Sequence, residues 1–187
     1  IKELERKKKP VQNEAPRALT RPAMTAEEIL NAPYYRTYEG LGAQLTREDG
    51  VAGVRFSVWA PHAQAVQLMG DFNAWDGGNH ALQGLGDSGV WSLFVPGVGE
   101  GTLYKFIIHD AHGVQVEKAD PIAFASELRP RTASKVWDIN KYVWNDADWM
   151  HERRHYNWLN EPISVYEIHP GSWKRILEED NRSLSYA

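Results

Sequence analysis

At 187 residues, with 42% hydrophobic content and a net charge of −4, the sequence has the size and composition of one globular domain with flanking segments, not of a disordered chain. The absence of cysteine removes disulfide frameworks and thiolate metal sites, and a pI near 6.0 argues against a surface built to replace the counterions of nucleic acid. No apolar run approaches the roughly 18 residues of a membrane helix, and the basic N-terminal residues precede no apolar leader core, so the expected setting is the cytoplasm, with no membrane partner.

Residues 1–34 read as a charged, proline-punctuated tail. The run Lys7-Lys8-Lys9-Pro10 is a solvated stretch to which no site is assigned. A short helix is expected at Thr25 to Leu30, with Thr25 as cap and Glu28 at the third following position completing a capping box.

Beyond Gly42 the pattern changes to short segments of period-two alternation separated by Gly, Asn, Asp or Pro. That is the mark of an all-β antiparallel sandwich of about six to eight strands. Val54, Phe56 and Val58 alternate with Arg55, Ser57 and Trp59, and Pro61 ends that strand. Further strands are expected at 65–69, 90–95, 103–109 and 114–118, with turns at 84–89, 96–101 and 110–113 and a closing loop and strand at 128–137. The sandwich spans residues 35–142. A linker with a short helix at 145–154 follows over 143–162, and 163–187 opens on a β-branched, aromatic run from Ile163 to His169 bounded by Pro162 and Pro170. The last residues, 177–187, carry charge and no closing element, so the chain reads as cut off.

The segment Gly70-Asp71-Phe72-Asn73-Ala74-Trp75 follows an apolar strand with residues that accept tight-turn backbone and leaves Trp75 near a rim. An exposed indole there would stack on the C–H face of a glucose ring, while Asn73 or Lys105, the latter a charged residue inside the apolar strand Leu103-Tyr104-Lys105-Phe106, would meet its hydroxyls. A second reading stays open: Trp75 packs over the sheet and Lys105 solubilises an edge. The i, i+4 pair His151 and His155 has zincin-like spacing, but neither a third ligand nor an apolar helix accompanies it, so no metal site is assigned. With no phosphate-cradling glycine loop either, no cofactor is expected.

Taken together, Trp59-Ala60-Pro61, the turn Gly70 to Trp75 and the strand Tyr104-Lys105-Phe106 resemble a family-48 carbohydrate-binding module. Two later stretches, Ala119-Asp120-Pro121-Ile122-Ala123-Phe124 with Glu127 to Ser134, and Val165-Tyr166-Glu167-Ile168-His169-Pro170-Gly171-Ser172-Trp173, are similar to bacterial glycogen branching enzymes. The resemblance implies an immunoglobulin-like β-sandwich joined to the first strand of a truncated (β/α)8 barrel. It implies as partners an α-glucan, glycogen or a maltooligosaccharide, and the protein's own catalytic barrel. It carries Trp75, Lys105 and Asn73 over as glucan-binding residues. Three departures stand out: Ile122 replaces a usual Tyr, Pro170 an aliphatic residue, and His112-Gly113-Val114-Gln115-Val116 lacks the second stacking Trp of glycogen-sensor modules.

Such enzymes transfer α-1,4-linked glucan to a 6-hydroxyl by double displacement, with an aspartate nucleophile and a glutamate acid/base. Those carboxylates belong to later barrel strands, so no catalytic residue is assigned, and Glu167 and His169 are read as supports. This region alone is expected to be inactive. The alternatives are a debranching or trehalose-releasing hydrolase, disfavoured by Gly171-Ser172-Trp173 and the 129–134 stretch, and a non-catalytic glycogen-targeting subunit, which has no reason to append residues 165–173.

Overall fold

The computed structural model describes residues 24–157, 159–160 and 162–184. The basic run at Lys7 to Lys9 lies outside them. The chain divides into two compact units, one up to Val143 and one from Trp144.

The first unit opens on α1 (Ala26–Asn31), where the Thr25 hydroxyl accepts from the Glu28 N–H at 3.2 Å and the Glu28 carboxylate accepts from the Thr25 N–H at 2.7 Å. This reciprocal cap is the one anticipated from the spacing. Nine strands follow: β1 (Gly42–Glu48), β2 (Val51–Trp59), β3 (Ala65–Gly70), β4 (Gln83–Gly84), β5 (Val90–Pro96), β6 (Leu103–His109), β7 (Gln115–Lys118), β8 (Ala125–Ser126) and β9 (Ser134–Lys135). They form two antiparallel sheets, one in the order β1-β2-β5-β4, the other β3-β6-β9-β8 with β7 also on β6. The antiparallel β-sandwich expected from the alternation is therefore present, with β1, β4 and β8 added to the anticipated strands.

Period-two geometry explains the core. On β2, Val54, Phe56 and Val58 point inward; on β3, Val66 and Leu68; on β6, Tyr104 and Phe106. Phe56 meets Tyr104 edge to face at 4.8 Å between ring centroids, which joins the sheets at their centre. Each such fully buried aromatic or large aliphatic side chain contributes about 1.5–3 kcal/mol from burial. A smaller cluster of Ile29, Leu41 and Val90 seats α1.

A polar network centred on Asp120 is buried within this apolar framework. The Tyr104 hydroxyl donates to Asp120 Oδ2 at 2.5 Å, the Ile122 N–H donates to Asp120 Oδ1 at 2.8 Å, and the Asp120 N–H donates to Ser134 Oγ at 2.8 Å. Burial drives the Asp120 carboxyl above its ordinary range, with the two donors working against that rise. Burial first, and the Asp120 charge second, push the Tyr104 phenol up as well.

In the second unit, α2 (Ala147–Glu152) lies within the expected linker, and α3 (Pro170–Trp173) precedes a two-stranded hairpin of β10 (Arg175–Ile176) and β11 (Arg182–Ser183). Residues 163–169 pair with no strand among the described residues, since β-propensity supplies a backbone preference but not the partner that a ladder requires, and Val165 and Tyr166 are exposed. One expectation is corrected here: the stretch 177–187, expected to hold no closing element, contains β11 of the hairpin. No helix among the described residues is long and apolar enough to cross a membrane.

The Asp120 network yields a prediction with a definite sign. A carboxyl whose folded pKa is raised above the ordinary value of 3.8 contributes stability that is full below that value and lost as pH rises through the folded pKa. Asp120→Asn cannot titrate. In urea unfolding, the wild type should therefore gain stability relative to Asp120→Asn as pH falls from about 7 to about 4. Tyr104→Phe, which removes a buried donor, should cost about 1–3 kcal/mol.

Candidate functional site

The sequence-designated residues lie on the loop after β3 and on β6. Alternation on β6 sends Tyr104 and Phe106 into the core and so turns Lys105, Ile107 and His109 to the outer face of their sheet. The matching outer residues of β3 are Ala65, Gln67 and Met69. The loop folds back over this face: Gly77 packs against Ile107, where an added Cβ would stand 2.6 Å from Ile107 Cδ1.

Two hydrogen bonds from a single strand residue close the loop. The Leu68 N–H donates to the His80 carbonyl at 2.9 Å, and the Leu68 carbonyl accepts from Asn73 Nδ2 at 3.0 Å. Between these anchors the Trp75 N–H donates to the Gly70 carbonyl and the Asp76 N–H to the Asn73 carbonyl, both at 3.0 Å. Gly70 is required by close approach, since a Cβ there would lie 2.3 Å from the Leu103 carbonyl oxygen. The Asp71 carboxylate accepts from the Leu103 N–H at 3.0 Å, fixing the start of the turn to β6.

Ala74 and Trp75 both adopt left-handed backbone, with φ of 52° and 63°. For residues other than glycine this costs on the order of 1–2 kcal/mol each, and it persists because the flanking hydrogen bonds over-determine the loop. Its consequence is that the Trp75 side chain reaches the rim, 37% exposed. Gly70 pairs with Tyr104 across the ladder, so Trp75 sits at the same end of the β3–β6 pair as Lys105. The Lys105 ammonium is 3.6 Å from the Glu117 carboxylate on β7.

Asn73 is placed differently. Its Oδ1 accepts from the Gly70 N–H at 2.9 Å, and its Nδ2 reaches Leu68 O and, at 3.2 Å, His80 Nδ1. Its amide is used inside the turn. His80, whose ring meets Phe72 at 5.2 Å between centroids, was not designated from sequence. Its only signal was a position shortly after the Gly77-Gly78-Asn79 turn.

In the second unit the His169 imidazole and the Ser172 hydroxyl are 2.7 Å apart, while Glu167 is exposed. His151 and His155 stand with ring centroids 5.5 Å apart, and no group of three or more potential metal ligands occurs among the described residues.

Residues 40–123 match the model of carbohydrate-binding module 48, described as the isoamylase N-terminal domain. Over 154 residues, 82% of this chain and 21% of the relative, the sequence is 49% identical to the 1,4-alpha-glucan branching enzyme GlgB of Gloeobacter violaceus. Over 138 residues, 74% of this chain and 19% of the relative, it is 51% identical to the 1,4-alpha-glucan branching enzyme GlgB of Rhodopirellula baltica. A solved structure, PulA from Klebsiella oxytoca, is 28% identical, with a TM-score of 0.46 over 62% of this chain and 10% of that one. The chain spans about a fifth of the length of the curated relatives it matches.

The turn geometry makes opposite forecasts for two small substitutions. Gly70→Ala should destabilise the protein by about 1–3 kcal/mol, because the methyl group meets backbone that cannot yield. Ala74→Gly, which relieves a left-handed residue, should stabilise it by up to about 1 kcal/mol. Thermal unfolding of both variants checks the pair.

Proposed function

We propose that residues 40–123, which match the carbohydrate-binding module 48 model, form a module of that family, and that the chain is the N-terminal region of a 1,4-alpha-glucan branching enzyme. The observation that carries the proposal is the extent of the likeness: 49% identity runs over 154 residues, well beyond the module itself. A separate glucan-binding subunit would need the module alone.

In this reading the sandwich meets the α-glucan and is followed by a catalytic barrel that supplies the reacting carboxylates. The divisions 1–34, 35–142, 143–162 and 163–187 are then tail, module, linker and barrel entry. Trp75 is the stacking platform. Its indole stands at the rim of the loop, where a glucose ring can lay its C–H face against it and remove apolar area from water. Lys105 serves as a hydrogen-bond donor to the ring hydroxyls, competing with its link to Glu117. Asn73 acts from within the turn, since both ends of its amide are engaged there.

Two measurements test the proposal. A protein carrying this chain together with its barrel, given linear amylose, should create α-1,6 linkages; release of reducing ends without new branches would reject the assignment. For the module, calorimetry with maltoheptaose should show Trp75→Ala losing about tenfold in affinity with an unchanged far-UV spectrum, as expected when a stacking aromatic is truncated. Equal affinity would remove Trp75 from the site.

A further inference from the structure

The polarity of the Asn73 contacts fixes more than the turn. The Gly70 N–H can only donate, so the group it meets at 2.9 Å must be the amide oxygen of Asn73. The amide nitrogen then faces the other way, with one hydrogen on the Leu68 carbonyl and one directed at His80 Nδ1, 3.2 Å away. His80 Nδ1 is therefore an acceptor, and its ring proton resides on Nε2. His80 is also the residue whose carbonyl accepts from the Leu68 N–H, so both ends of the loop converge on one buried strand residue, and the Asn73–His80 contact joins them to each other.

Trp75 lies between those ends. Its left-handed backbone, and that of Ala74 before it, is held by the closure of the loop. We infer that His80 is a positioning residue, which accepts from Asn73 through Nδ1 and so holds the strained Ala74-Trp75 pair with the indole at the rim. The inference rests on the reading of Trp75 as the glucan platform. It moves Asn73 from sugar ligand to the stitch of the loop, and it assigns to the imidazole a requirement for an acceptor at the Nδ1 position rather than for a ring.

That distinction sets the experiment, carried out on the 187-residue chain with maltoheptaose as the probe. His80→Asn places an amide oxygen where the imidazole has Nδ1, whereas His80→Phe keeps a ring against Phe72 and has no acceptor. His80→Asn should bind within about twofold of wild type, and His80→Phe should lose about tenfold, the equivalent of one hydrogen bond's net contribution. Asn73→Asp, which keeps the acceptor for Gly70 and removes the donors to both Leu68 and His80, should lose at least as much as His80→Phe.

The indole N–H resonance of Trp75, identified by its disappearance in Trp75→Phe, gives a readout independent of affinity. It should shift in His80→Phe and Asn73→Asp and stay in place in His80→Asn. Wild-type affinity with an unshifted resonance in His80→Phe would overturn the positioning role, as would equal losses in His80→Phe and His80→Asn. Failure of the platform reading is separate: in that case Trp75→Ala binds maltoheptaose as well as wild type does.

Discussion

Tyr104 fills the space between the two sheets, and that single placement constrains everything built on β6. Its ring contacts Phe56 on the opposite sheet, and its hydroxyl ends on the buried Asp120 carboxylate. Because side chains alternate along a strand, seating Tyr104 and Phe106 inward forces Lys105 outward. A slip of one residue would bury an ammonium in an apolar core and expose two aromatic rings, a cost no local contact could offset. The outer face of the sheet is thus a by-product of the inner one.

The loop on that face draws its stability from the same source. Leu68 is fully buried, and while its side chain packs in the core its two backbone groups tie the loop at Asn73 and His80. Two consecutive left-handed residues other than glycine are unfavourable in isolation. They are tolerated because the anchoring strand cannot move without disturbing the core. The stability of the sandwich and the exposure of Trp75 are in this sense one problem. A change in the core near Leu68 or Tyr104 would be felt at the rim.

The legibility of the fold follows from how local each signal is. The strands at 65–70 and 103–109 announce themselves because their inward residues, Val66 and Leu68 or Tyr104 and Phe106, alternate with the polar Gln67 or Lys105, which writes the period into the sequence. β1 is harder to read, since Ala43 and Leu45 are its only inward apolar residues and its outward Gln44 and Thr46 could belong to a loop. The run from Ile163 to His169 has every local mark of a strand and pairs with none of the described residues, since pairing is a property of two segments. Asn73 reads as a sugar ligand in the sequence because the donors and acceptors that suit a hydroxyl also suit the backbone turn in which its amide is engaged.

What the sequence by itself determined was the all-β character, the inward and outward faces of the main strands, the cap at Thr25 and the rim position of the turn bearing Trp75. Each depends on residues within a few positions of one another. What only the tertiary structure decided was the pairing of Gly70 with Tyr104, the convergence of Asn73 and His80 on Leu68, and the Tyr104–Asp120–Ser134 network. These join groups separated by many residues or depend on a partner, and the direction of a hydrogen bond is fixed only once both of its ends are in place.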